Sequence, residues 1–380
     1  VSVVWIFTLG LILVSVLKVI VSVAAYFLGM SETICLAVIV AFLVLATIMV
    51  DNKLMGIFKT IVFIMVIVAC MFMIVAVFYK MDVREILDNY RRACLAGGTS
   101  IYLNILYYDG ERLGVGKAIS MAGIGLGCIA MPLMYKGVIN IRDVKELDAG
   151  RIWAIVFEGF TVLLSSMLAL LVVPVLYPDS VYPYMNSFQV YNLMLKRILG
   201  NSTYAYAGRF VILMVFIIAV VVMLESLMRN ICEHIRGLIP TTNRAGKTTK
   251  LVIDISVVVF TGIVVFLIGH FVEYGRERVI AGSWNLCAAA LAAPLMCTLM
   301  YRNSTKTGIY AGLISGILAF FAWNYAPFIK NSTFVTELDL SCGVVGFVIS
   351  MVVCVLFSMF TKKNRKDELE IFDRMMADQA

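Results

Sequence analysis

Residues 54–79 read LMGIFKTIVFIMVIVACMFMIVAVFY, and Lys59 is the sole charged side chain among them. A helix of about 20 apolar residues crosses the hydrocarbon core of a bilayer. Lipid offers no hydrogen-bond partners, so a spanning segment must satisfy its own backbone as a helix, or within a closed barrel. The run is continuously apolar instead of alternating with period two, which excludes a barrel strand. It reads as a transmembrane helix.

The same pattern recurs along the chain. Ten such runs are predicted, at 3–29, 33–50, 54–79, 115–135, 151–177, 208–229, 251–272, 283–301, 307–329 and 340–361. Hydrophobic residues make up 62% of the 380 and charged residues 14%, against about half and a quarter in soluble domains. The mean hydropathy of +0.97 leaves no water-facing surface of ordinary size. The sequence therefore specifies an all-α integral membrane protein, with the bilayer as its first partner. A net charge of +7 needs no nucleic acid to explain it. The nine cysteines fall mostly inside apolar runs without metal-ligand spacing, and read as small packing residues.

Between the runs, Asp51-Asn52-Lys53 makes a tight hairpin. Residues 81–92 predict a short amphipathic helix, with Val83, Ile86, Leu87 and Tyr90 on one face. The stretch 178–207, with its tyrosines, Pro178 and Pro183, reads as an interfacial cap. Basic residues collect in the short loops: Lys136, Arg142, Lys145 and Arg151; Arg229, Arg236, Arg244, Lys247 and Lys250; Arg302 and Lys306. The tail 362–380 adds Lys362, Lys363, Arg365 and Lys366. With ten spans these lie on one side, expected to be cytoplasmic, with both ends of the chain there and the protein in the plasma membrane. Residues 1–361 form one transmembrane unit in this reading. The first run follows Val1 at once, so a piece of a longer protein is expected.

Residues 123–151 read GIGLGCIAMPLMYKGVINIRDVKELDAGR. A Gly-rich helix leads to Pro132, then Lys136, then a loop with Lys145-Glu146 and Ala149-Arg151. Residues 290–317 read ALAAPLMCTLMYRNSTKTGIYAGLISGI, with Pro294, the basic Arg302 turn, and a helix carrying Gly308, Gly312 and Gly316. Gly29-Met30-Ser31-Glu32 joins the first two runs. In order and spacing these stretches resemble the sodium:solute symporter family of proline permease and the sodium–sugar symporters. The resemblance implies a LeuT-type fold of two inverted five-helix repeats. It also implies that three helices precede Val1, among them the broken first core helix, so the missing N-terminal helices of the same protein are an expected partner.

Within that resemblance, candidate substrate-binding residues are Gly123, Gly125, Gly127, Cys128 and Met131. Two readings of the glycines stay open: close helix packing, or a break that exposes backbone to a solute, with Pro132 favouring unwinding. The candidate cation-coupling residues are Glu225, Ser226 and Lys18. Where the family carries sodium-binding hydroxyls, this chain has Leu224 and Glu225, and Ser226 is offset by one residue, about a hundred degrees round the helix. Glu225 binds a cation, titrates, or pairs with Arg229 one turn away; Lys18, near mid-membrane, pairs with Glu225 or faces a loop or cavity. Lys59 is expected to snorkel to the inner interface. Glu158 reads as a packed carboxylate near Arg151 or Ser165, Asp254 as interfacial, His234 as a loop residue, and Trp284 and Trp323 as anchors.

No catalytic Ser/His/Asp set, HExxH or metal cluster is visible, so the chain is expected not to be an enzyme and to carry no cofactor. The leading expectation is cation-coupled symport of a small organic solute, with sodium or proton as the coupling ion. The alternative is a non-transporting or sensor-like relative that has lost the sodium site.

Overall fold

A computed structural model of the chain describes residues 2–96, 107–108, 111–112, 114–130, 144–177, 187–239, 247–271, 276–330 and 339–361. Its elements, in order, are α1 (Ser2–Leu28), α2 (Glu32–Met49), α3 (Asn52–Lys80), α4 (Val83–Ala96), β1 (Tyr107–Tyr108), β2 (Glu111–Arg112), α5 (Val115–Ile129), α6 (Val144–Leu176), α7 (Ser187–Leu199), α8 (Thr203–Gly237), α9 (Lys247–Phe271), α10 (Arg276–Cys287), a π segment (Ala288–Ala292), α11 (Ala293–Met300), α12 (Lys306–Tyr325), α13 (Pro327–Lys330) and α14 (Cys342–Phe360).

Among the described residues nine helices are long and apolar enough to cross a membrane, α10, the π segment and α11 together forming one of them. The run expected at 115–135 is the shorter helix α5, which ends at Ile129; Met131, Pro132 and the rest of that run lie outside the described residues. Several helices overrun their apolar runs, because a helix continues past the lipid boundary wherever polar residues still favour it. Thus α6 starts at Val144 and α8 continues to Gly237. The expected cap at 178–207 instead contains α7, whose amphipathic composition hides it from a search for apolar runs. Tail residues 362–380 are outside the described set.

Local chemistry sets the helix ends. Ser31, Ser202, Thr305 and Ser341 accept the backbone N–H three residues on and so cap α2, α8, α12 and α14. Gly29, at φ +63°, and Gly200, at φ +83°, follow α1 and α7, where the left-handed conformation suits glycine.

The membrane character shows on α3. Ile57, Ile61, Ile64, Val68 and Phe72 form an exposed apolar stripe, while Val62, Met73 and Val77 are buried on another face. A helix apolar all round meets protein on one side and lipid on the other.

Two cores result. The larger joins α1, α2, α8, α9, the π segment and α12. The smaller joins α3, α4, α6, α7 and the first half of α8. Pairing partners fix the directions. Gly262 of α9 lies against Val44 and Gly269 against Leu36, so α9 runs antiparallel to α2. Arg236 of α8 pairs with Asp254 of α9 at 3.1 Å, which ties Asp254 down at that end of the bundle.

The closest helix contact is between α12 and α14. Gly308, Gly312 and Gly316 face Ser358, Cys354 and Ser350 in antiparallel register. Ser350 Oγ donates to Gly312 O at 2.8 Å, and Ser358 Oγ accepts Thr305 N–H at 3.1 Å. Without a hydrophobic drive between helices in lipid, small residues and such hydrogen bonds provide the association. Eight of the nine cysteines are described as buried free thiols.

Candidate functional site

The three glycines of α5 divide between two roles. The helix runs unbroken from Val115 to Ile129, so it does not unwind at the glycines. Gly123 and Gly127, four residues apart, are buried on one face. A methyl on Gly123 would collide with Val344 of α14, and one on Gly127 would come within 2.6 Å of the Trp284 carbonyl of α10. Gly125 points elsewhere and has open space. Gly123 and Gly127 thus sit in close helix contacts. Met131 and the side chain of Cys128 lie outside the described residues.

Both ends of α5 are held by side chains. Ser120 Oγ donates to the Asp339 carbonyl (3.1 Å) and accepts Ser341 N–H (2.7 Å), binding the first turns of α5 to the start of α14. At the other end, Trp5 Nε1 of α1 donates to Ala130 O at 3.2 Å. Trp5 also lies against His234, with ring centroids 4.8 Å apart. His234 therefore belongs to the last turn of α8 and not to a loop.

Beside α5 runs the π segment, fully buried. Ala289 meets both Gly316 of α12 and Gly346 of α14, which have no room for a Cβ. Single-turn π insertions inside helices are frequent at functional sites. Trp284 and Asn285 lie on the same helical stretch, Asn285 against Gly343, and Trp323 Nε1 donates to Leu340 O at 3.0 Å. These residues pack inside the bundle and do more than anchor its ends.

Glu225 is 1% exposed. Its Oε1 accepts from Arg229 Nε at 2.7 Å, and Arg229 Nη2 also donates to the Val50 carbonyl at the end of α2 at 3.0 Å. Lys59 Nζ of α3 lies 3.2 Å from Oε2; its alignment gives an ion pair without a hydrogen bond to that oxygen. The triad ties the α2–α3 hairpin to α8. Lys59 turns inward to Glu225 instead of snorkelling, and among the described residues the cations paired with this carboxylate are Lys59 and Arg229; Lys18, open between that pairing and a loop or cavity, is half-buried on α1. Ser226 Oγ donates to the Val222 carbonyl of its own helix at 3.1 Å. Glu158 is exposed on α6, contrary to the packed position expected.

Two residues were not singled out as site candidates from sequence. Lys59 is one. The other is Arg209, 6% exposed on α8. Its guanidinium carbon sits 4.1 Å from the centroid of the Tyr206 ring, and its Nε and Nη2 are buried without hydrogen-bond partners among the described residues. An ionisable side chain inside an apolar run is the signal that marks both.

At the opposite end of α3, Lys80 Nζ donates to the carbonyls of Arg197 (2.7 Å) and Ile198 (2.9 Å), closing the last turn of α7. Arg197 Nη2 donates to the Tyr177 carbonyl at 3.2 Å. A cavity of about 400 Å³ opens here, lined among others by Lys80, Glu85, Asn89 and Tyr177. Among the described residues no group of three or more His, Cys, Asp or Glu is placed to hold a metal ion.

No family model matches this chain, and no curated protein sequence does. Among solved structures, a Na+-coupled sialic acid symporter in a substrate-bound, outward-open state matches 95% of this chain and 74% of its own, with a TM-score of 0.70 at 14% sequence identity. The likeness shows the fold: this is an all-α membrane protein of the LeuT type.

Proposed function

We propose that the chain is a secondary active transporter of the sodium:solute symporter family, carrying a small organic solute across the plasma membrane by alternating access. The observation that supports this most is the shared fold along 95% of the chain. The family-ordered motifs at 123–151 and 290–317 add the family assignment. A cation gradient is the proposed drive, and both ends of the chain are proposed to be cytoplasmic. No enzymatic step and no organic cofactor enter this reading.

The geometry suits such work. The α12–α14 pair, locked by small residues and the π segment, serves as a stiff support. Helix α3 is fastened to its neighbours by side-chain contacts at both ends, Lys59 to Glu225 at one and Lys80 to α7 at the other. Ion pairs between separate helices are discrete contacts that alternate between made and broken, as a two-state carrier requires.

The test is accumulation of labelled solutes in vesicles containing the protein expressed from its complete gene, with sodium and proton gradients imposed separately. The panel includes amino acids, sugars, carboxylates and sialic acid, the solute of the matched symporter. Gradient-driven accumulation of any of them supports the proposal. Its absence across the panel favours the non-transporting relative.

A further inference from the structure

The family resemblance places sodium-binding hydroxyls at positions 224 and 225, and the residues present do not fit that ion. Leu224 is apolar and fully buried. Ser226 is offset by one residue, about a hundred degrees round the helix from position 225, and its hydroxyl donates to the Val222 carbonyl of its own helix. Glu225 supplies a carboxylate, and two cationic side chains already lie on it. The three side chains together carry a net charge of +1, so a sodium ion brought to the same carboxylate meets net repulsion.

The two cations are held differently. Arg229 is on the same helix as Glu225, bonded at 2.7 Å and anchored to the Val50 carbonyl, so it stays with Glu225 however α8 moves. Lys59 comes from α3, lies at 3.2 Å, and its side chain is 36% exposed. A flexible ammonium on a separate helix, only partly buried and not locked by a hydrogen bond to the carboxylate, is the separable member of the triad.

We propose that the Lys59 ammonium is the cation of this site, fixed to α3 in the place a dissolved sodium ion would take, so that α3 and α8 close on each other at Glu225 without binding sodium there. The inference deepens the transporter reading and rests on it for its meaning. Its physical content, that Glu225 holds Lys59 and not sodium, is measured without any solute.

The experiment follows thermal unfolding of the purified protein in detergent, with choline chloride exchanged for sodium chloride at constant ionic strength. The expected result is no sodium-dependent shift in Tm that depends on Glu225: wild type and Glu225→Gln respond alike to sodium. Lys59→Ala is expected to gain a saturable upward Tm shift with methylammonium chloride, which restores an ammonium beside Glu225; wild type and Lys59→Arg show none. A sodium-dependent rise in wild type that Glu225→Gln abolishes would overturn the proposal. So would a Lys59→Ala protein whose response to methylammonium equals that of wild type, and this second arm stands even if Glu225→Gln does not fold. Either contrary result leaves solute uptake in vesicles untouched, whereas failure of uptake under every gradient sinks the transporter reading without moving these shifts.

Discussion

Gly127 of α5 lies against the backbone carbonyl of Trp284, leaving no room for a Cβ, while Gly125, two residues earlier on the same helix, faces open space. Overpacking a close contact costs about 1–3 kcal/mol. Replacing an unconstrained helical glycine by alanine gains about 0.5–1 kcal/mol. Gly127→Ala should therefore lower the unfolding temperature and Gly125→Ala should hold or raise it. A Gly125→Ala protein that is stable yet fails to transport would assign Gly125 to a moving break, against the continuous helix over Val115–Ile129.

The Glu225 triad makes a second prediction. Removing one partner from a buried ion cluster strands the remaining charges, at a cost of about 3–5 kcal/mol. Glu225→Gln leaves Arg229 and Lys59 facing each other across an uncharged amide and should destabilise by about that amount. The triple replacement Lys59→Met, Glu225→Leu, Arg229→Met should recover most of the loss, because no buried charge is left. A single mutant as stable as wild type would mean the pairing adds nothing to the fold.

Among the described residues Arg209 has its Nε and Nη2 buried without hydrogen-bond partners. Unsatisfied buried donors cost about 1–3 kcal/mol. Arg209→Met keeps the aliphatic bulk, gives up the stack on Tyr206, and should be at least as stable as wild type by thermal unfolding. A clear loss of stability would show that the guanidinium has a partner in the membrane-embedded protein.

Cys94, on α4 outside the membrane-spanning segments, is 6% exposed. Burial pushes its thiol above the ordinary range, and a hydrogen bond from Tyr90 partly offsets the rise. The thiol should therefore stay protonated at neutral pH. Maleimide labelling of Cys94, measured by mass spectrometry, should begin only at higher pH than for an exposed cysteine. Tyr90→Phe should move that onset higher still. Rapid labelling at neutral pH would mean that α4 lifts from its bed on α6.

The membrane class and most spans were legible because long apolar runs have no other physical use. The run at 54–79, with its single charge, reduces to α3 almost residue for residue. Helix α7 escaped because its Lys196, Arg197 and Gln189 break the apolar signal. The π segment escaped because Ala288–Ala292 has the same composition whichever hydrogen-bond pattern it adopts. The pairing of Glu225 with Arg229 was open to reading, since residues four apart share a helix face. Lys59 was not: nothing local reports which distant helix packs beside α8, and only the fold brings the ammonium across. The glycines of α5 were ambiguous for a related reason. Packing and unwinding ask for the same small residue, and the sequence does not show that Val344 and Trp284 crowd Gly123 and Gly127.

Coupled movement of a solute is the proposed work of this fold. The most direct measurement is uptake of a labelled solute panel into vesicles carrying the protein from its complete gene, with sodium and proton gradients imposed in turn. The account expects at least one solute to accumulate above equilibrium under an imposed cation gradient, and any sodium dependence to survive in a folded Glu225→Gln protein. No driven accumulation of any solute, in vesicles where the protein is folded and inserted, would contradict it.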